Sequence, residues 1–356
     1  MRGAHLRAGD DEIRGFQVRR RGLVCGNKRL LERDEELELL RLAGLGIEAL
    51  QRLERGGVVG CRLGLDPELV ADLLDVLVAL GAVELRADGA FAVLPEFEPF
   101  RSGSLSRVVR AGVRSDHLQT AEAFRRARDG SLEPGWEHRD PELLIAQGET
   151  AGLFRLAAEH VLPSLDGLAD RLARAGARFL DVGAGVGVLS RELLLVYPEV
   201  SAVCVEPNAT ARAIGQERFH EAGLADRVGF VSHGVEDLSL AEVYDLALMP
   251  QPFFSPRAFD LGLANVLRSL RPGGWLVVLT LDLPRADSLA AASRRVRGRL
   301  WGGGAVDCER LLERLAAAGF ESAHAHPPVG DYRMLAARRP SVPSSTPSEV
   351  VEIRLP

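Results

Sequence analysis

Asp181 stands near the end of a short apolar run, and Gly183, Ala184, Gly185, Val186 and Gly187 follow it. Glu206 ends the next apolar run and is followed by Pro207 and Asn208. Alternating glycines let a backbone turn tightly and approach a ligand closely. The dinucleotide form of such a loop reads GxGxxG, but position 188 here is Val and the glycines read GxGxG. A pyrophosphate beside Asp181 would meet a like charge. A ligand carrying an amine and a sulfonium would meet an opposite one. Glu206 is placed to accept hydrogen bonds from both hydroxyls of a ribose. An acid, three alternating glycines and a second acid at a strand end together fit S-adenosylmethionine (SAM). The competing interpretation makes them turn glycines and solvated acids. Their shared register on one strand–loop–helix–strand unit argues against it.

These residues need elements to hold them. From residue 177 the chain alternates between short apolar runs and amphipathic stretches. The pattern predicts strands at 178–182, 201–206, 227–231, 244–249 and 275–281. It predicts helices at 188–197, 209–221 and 257–270, with a turn at 271–274. Such alternation makes a doubly wound, mostly parallel α/β sheet. Ligands on such sheets bind at the carboxyl ends of the strands.

The earlier half reads differently. Residues 1–35 are charged and Arg-rich and read as an N-terminal arm. Helical patterning fills 36–80, and Asp66-Pro67 is a good helix start. Segments 82–86 and 90–93 alternate around Asp88-Gly89, a hairpin signal. Helix, helix, hairpin is a winged-helix pattern, and it is expected to span 36–135. A DNA-reading helix should be basic, yet the one from Pro67 carries Glu68, Asp72 and Asp75 and no basic residue. Further helices are predicted at 105–128, 141–159 and 165–175, and a Pro/Ser-rich tail at 341–356.

The chain has 356 residues and a net charge of −6, which sets aside a general nucleic-acid coating role. Cys25, Cys61, Cys204 and Cys308 are scattered, so neither a metal site nor a disulfide is expected. The longest apolar run, 73–83, is interrupted by Asp75 and is short for a membrane span. A cytoplasmic chain without a membrane segment is the expectation.

The motifs FLDVGAGVGVLS, VCVEPN, FVSHGVEDL and LRPGGWLVVL occur in that order and at usual spacing between 177 and 339. This region resembles the class I SAM-dependent methyltransferases. The run LGLDPELVADLLDVLVALGAVE and Trp136-Glu137-His138, followed by DPELL, are similar to the small-molecule O-methyltransferases of that class. The resemblance implies a Rossmann-like seven-stranded sheet over 136–340 and an N-terminal winged-helix dimerisation domain. It implies SAM as cofactor, a small-molecule substrate of secondary metabolism, and a homodimer. Asp181, Gly183, Ala184, Gly185 and Gly187 would then surround the methionine part. Glu206 would hold the ribose, with Pro207 and Asn208 beside the adenosine. Val235 and Glu236 would lie along the adenine. Met249, Pro250 and Gln251 would lie near the transferred methyl.

Two departures from that family stand out. Gly234 occupies a position where many relatives carry an acid, so Glu236 or Asp237 would hold the adenine amine. The family also has a His-Asp pair after the fourth strand, where this chain reads Met249-Pro250-Gln251-Pro252-Phe253-Phe254. No base is present there. Replacement bases are His138, Glu149 and His117, with His233 placed beside the adenine loop. Each has an ordinary alternative as a surface or packed group. Trp136, Phe154, Phe253, Phe254 and Trp301 are candidates for a flat substrate pocket. The missing base lowers the case for phenol O-methylation and raises C-, N- or S-methylation, since such acceptors attack without prior proton loss. The remaining alternatives are a non-methylating enzyme of this fold and a winged-helix regulator.

Overall fold

A computed structural model describes residues 67–87, 91–97, 106–239, 241–283 and 288–341. The N-terminal arm, the first predicted helix, the hairpin turn at Asp88-Gly89 and the tail beyond 341 lie outside the described residues. The chain forms two compact units, Met1–His117 and Leu118–Pro356. Residues 118–135, read from the sequence as part of the first domain, thus pack with the second.

In the first unit, α1 (Pro67–Ala79) begins on proline and ends at Gly81, whose φ of +70° suits glycine. The hairpin of β1 (Val83–Leu85) and β2 (Phe91–Val93) follows, with Val83 opposite Val93. Leu74, Leu77, Ala82, Val83, Phe97 and Val113 form a small core. Asp72 and Asp75 are exposed. The long helix α2 (Ser106–Arg128) begins in this unit and ends in the second.

In the second unit, α3 (Pro141–Glu149) is capped by Asp140, whose side chain accepts from Glu142 N at 2.7 Å. The helical run expected through 159 changes type here without breaking, since Thr150, Leu153, Leu156 and Leu162 keep right-handed helical dihedrals. The Thr150 hydroxyl donates to the Gln147 carbonyl at 2.6 Å and competes with the helical ladder. The chain continues through 150–164 as short 3-10, α and π turns. A short α4 (Leu168–Leu172) completes the preface.

The strand–helix alternation then appears as β3 (Arg178–Val182), α5 (Val188–Val196), β4 (Ser201–Val205), α6 (Ala209–Glu221), β5 (Val228–Val231), β6 (Tyr244–Pro250) and α7 (Pro256–Ser269). Next come β7 (Leu270–Leu281), α8 (Leu289–Trp301), α9 (Cys308–Ala317), β8 (Glu321–Ala325) and β9 (Tyr332–Arg338). The seven strands lie in the order β5-β4-β3-β6-β7-β9-β8. The first five are parallel; β9 runs antiparallel to both β7 and β8. The order reverses at β3, which has β4 on one side and β6 on the other, and such a switch point opens a crevice for ligands.

One core packs the preface and α5 against a sheet face, through Phe154, Leu162, Leu168, Phe179 and Leu193. A second packs α7 and α9 on the opposite face, through Leu180, Phe259, Leu263, Leu311 and Leu315. The predicted turn at 271–274 is an irregularity inside β7, which already pairs through Leu270 with Tyr244 before rejoining register at Trp275 and Leu246. Asp245 anchors it through an ion pair with Arg271. Gly274 has no room for a side chain, since a Cβ would lie 2.9–3.2 Å from three carbonyl oxygens.

Candidate active site

The switch point is where the acids meet. Gly183, Gly185 and Gly187 adopt φ of +73°, +55° and +76°, a region that favours glycine. Gly183 N and Ala184 N both donate to the Val205 carbonyl, at 2.8 and 3.2 Å, which folds the loop back over β4. A Cβ on Gly187 would stand 2.5 Å from the Phe219 ring, whereas one on Gly185 would meet no protein atom within 4 Å. Gly185 lines a cavity, so the loop leaves that space to a ligand.

Asp181 is 1% exposed, and the Ser190 hydroxyl donates to its Oδ2 at 2.6 Å. Burial pushes its carboxyl up to about 7, against the opposing Ser190 hydrogen bond and with added repulsion from Glu206. Glu206 accepts from Gly185 N through Oε2 and from Asn208 N through Oε1, both at 2.8 Å. Burial raises its pKa too, while the two backbone donors hold it down. A cationic ligand favours the ionised form of both.

The helix preceding the sheet supports this loop directly. A Cβ on Gly148 of α3 would overlap Val186 Cγ2 at 2.2 Å. The substitution Gly148→Ala is expected to push α3 off the glycine loop, costing about 1–3 kcal/mol of stability. A denaturant titration of wild type and variant checks this; equal midpoints contradict it.

The cavity holds about 890 Å³, toward the upper end of ligand sites. Asp181, Glu206, Asn208 and the loop 183–186 line one end. Leu153, Phe154, Leu279, Val329, Tyr332 and Met334 line another part of it. Strand register brings Pro250, Leu279 and Met334 side by side across β6, β7 and β9. An aromatic cluster stands at Trp136, Phe253 and Trp301. Phe253 stacks on Trp301 at 4.5 Å and 18°, and Trp136 meets Phe253 edge-on at 4.9 Å.

The structure brings several of the sequence-selected residues to this cavity and leaves others outside its lining. Asp181, Gly183, Ala184, Gly185, Glu206, Pro207, Pro250, Trp136, Phe154, Phe253 and Phe254 line it. Gly187 packs under Phe219. Val235 is buried against α7, and Glu236 is exposed, its carboxyl 2.5 Å from where a Gly234 Cβ would be. Gln251 is buried, donating to the Gly303 carbonyl and accepting from Thr280. Trp301 is also buried, behind Phe253, and its indole N–H donates to Gln119.

None of the three candidate bases is among the lining residues. His138 sits edge-on to Trp136 at 4.7 Å, and burial lowers its pKa. Glu149 pairs with Arg218 at 2.9 Å. His117 is exposed on α2, at the end of the first unit. Leu279, Val329, Tyr332 and Met334 were not anticipated. The two-residue spacing of Tyr332 and Met334 after the Gly330-Asp331 turn is the signal that marks one face of a strand there.

Residues 179–274 match a family described as a methyltransferase domain. That segment is a methyltransferase domain, and the sheet around it has the fold of the class I methyltransferases. The cofactor of that class is SAM, and the acid pair, open glycine cradle and cavity are chemically suited to it. The chain is 30% identical over 121 residues to a ubiquinone/menaquinone biosynthesis C-methyltransferase of Pseudomonas aeruginosa, covering 33% of this chain and 47% of that protein. The chain thus spans about half the length of such curated relatives. It is 25% identical over 263 residues to a phenazine O-methyltransferase of Lysobacter antibioticus, covering 70% and 74% of the two chains. The structure of an O-methyltransferase family protein from Burkholderia thailandensis superposes with a TM-score of 0.63, at 20% identity, over 95% of this chain and 99% of that one. That likeness establishes the shared fold. Among the described residues no helix is long and apolar enough to cross a membrane.

Proposed function

We propose that this protein transfers a methyl group from SAM to a small molecule that needs no deprotonation by the protein. The observation that carries it is one cavity with two chemically different regions, an acidic cradle at the strand ends and an apolar wall. When bound, SAM supplies a methyl group on a sulfonium, already joined to a good leaving group. Asp181 balances the cofactor's cationic charge, and Glu206 accepts from the ribose hydroxyls. Leu279, Met334, Phe154 and Phe253 exclude water and hold the acceptor in line, where positioning supplies most of the rate.

Among the described residues the lining contains no imidazole, and its two buried carboxylates belong to the cofactor end. A carbon, nitrogen or sulfur acceptor suits such a site, because it attacks before any proton is lost. The C-methyltransferase relatives support the carbon case. The test is transfer from methyl-labelled SAM to a panel of phenols, electron-rich arenes, amines and thioethers, with the product mapped by NMR. C-, N- or S-methyl products are expected. Exclusive phenol O-methylation, with a rate tied to a protein group titrating near the histidine range, contradicts the reading.

The assembly proposed with this function is a homodimer. Light scattering is expected to give twice the chain mass, and a monomer at working concentration contradicts that part.

A further inference from the structure

Residues 134–140 form an irregular strap between α2 and α3, and Trp136, Glu137 and Arg139 on it line the cavity. One end is tied by Gly135 N, which donates to the Leu300 carbonyl at 2.9 Å. The other end is Asp140, the cap of α3. Between them, the Asn208 Nδ2 donates to the His138 carbonyl at 2.7 Å.

Asn208 makes three kinds of bond at once. Its Oδ1 accepts from Thr210 N and Ala211 N, at 3.0 and 3.1 Å, and caps α6. Its backbone N–H donates to Glu206 Oε1. Its amide orientation follows from its partners, since two donors must face the oxygen and a carbonyl must face the nitrogen. One half-buried residue therefore joins, by backbone and side chain together, the acid at the end of β4, the start of α6 and the strap carrying Trp136.

We propose that Asn208 is a positioning residue that latches the strap, and with it the Trp136 ring, over the cavity in step with Glu206. A ligand that fixes Glu206 fixes the Asn208 backbone, and through the amide it fixes the strap beside the aromatic cluster. The link to the cofactor rests on the function proposed above; the latch itself does not.

Two substitutions remove the donor and keep the cap. Asn208→Ser retains a capping oxygen but is too short to reach His138, and Asn208→Asp places an oxygen opposite the carbonyl. The chain has three tryptophans, so 5-fluorotryptophan labelling gives three fluorine resonances, with Trp136 assigned through Trp136→Phe. Without cofactor, both variants are expected to move the Trp136 resonance toward the solvent-exposed position and to leave that of Trp275 in place. S-adenosylhomocysteine is expected to shift the Trp136 resonance in the wild type. Its Kd should rise about five- to tenfold in both variants, the effect of one lost hydrogen bond. A purely local capping role predicts unchanged spectra, and an identical Trp136 resonance in all three proteins overturns the latch. If the wild type binds no S-adenosylhomocysteine, the functional reading fails, while the cofactor-free spectra still decide the latch.

Discussion

Replacing Glu206 with alanine is expected to raise the Kd for SAM by about 100-fold or more. The carboxylate accepts from Gly185 N and Asn208 N while facing the cavity. Its removal takes the ribose acceptor away and strips two backbone donors of their partner. Hydrogen bonds to a charged group contribute about 1.5–3 kcal/mol each, so the loss of two such bonds to the ribose accounts for the magnitude. Glu206→Gln keeps an acceptor oxygen and is expected to fall between the two. Isothermal calorimetry on folded protein measures both. A Glu206→Ala protein binding within threefold of wild type would remove this residue from the cofactor site.

The substitution Asp181→Asn is expected to act in opposite directions on stability and binding. The ordinary carboxyl titrates near 3.8, and burial carries Asp181 to about 7. The folded protein therefore holds a proton that the unfolded chain has lost across the window from about pH 4 to 7. Stability from this group is fully present below that window and declines as pH rises through 7. The full shift corresponds to on the order of 4 kcal/mol. Asparagine keeps the shape and has no charge to bury. The cofactor-free variant is expected to lack this decline and to melt higher than wild type at pH 8. Its affinity for SAM is expected to drop most at that pH, where the wild-type carboxylate is charged. Thermal melts and calorimetry between pH 5 and 8 check both halves. Parallel pH profiles for wild type and variant contradict the assignment.

The glycine loop and its two acids were legible because they are local. Asp181, the loop and Glu206 sit on consecutive elements, and alternation alone places them at neighbouring strand ends. The acceptor wall was less legible because it is assembled across distance. Met334 and Tyr332 reach the cavity through an antiparallel pairing with β7 that no local pattern specifies. The helix expected through 159 is present, but beyond Thr150 it runs as 3-10, α and π turns, a change of type that helical periodicity does not encode. Histidine identity misled for a similar reason. His138 neighbours Trp136 in sequence and space, yet only Trp136 is in the lining, and the His138 carbonyl is bound by Asn208. The second half of β7 followed its apolar pattern. Its first residues did not, because Asp245 and Arg271 hold the bulge at 271–274.

Whether the acidic cradle binds SAM is decided by calorimetric titration of the wild-type protein with SAM at pH 6, in two buffers of different ionisation enthalpy. One cofactor per chain is expected to bind, with release of about one proton as Asp181 ionises against the cation. Absence of binding up to millimolar SAM would contradict that expectation.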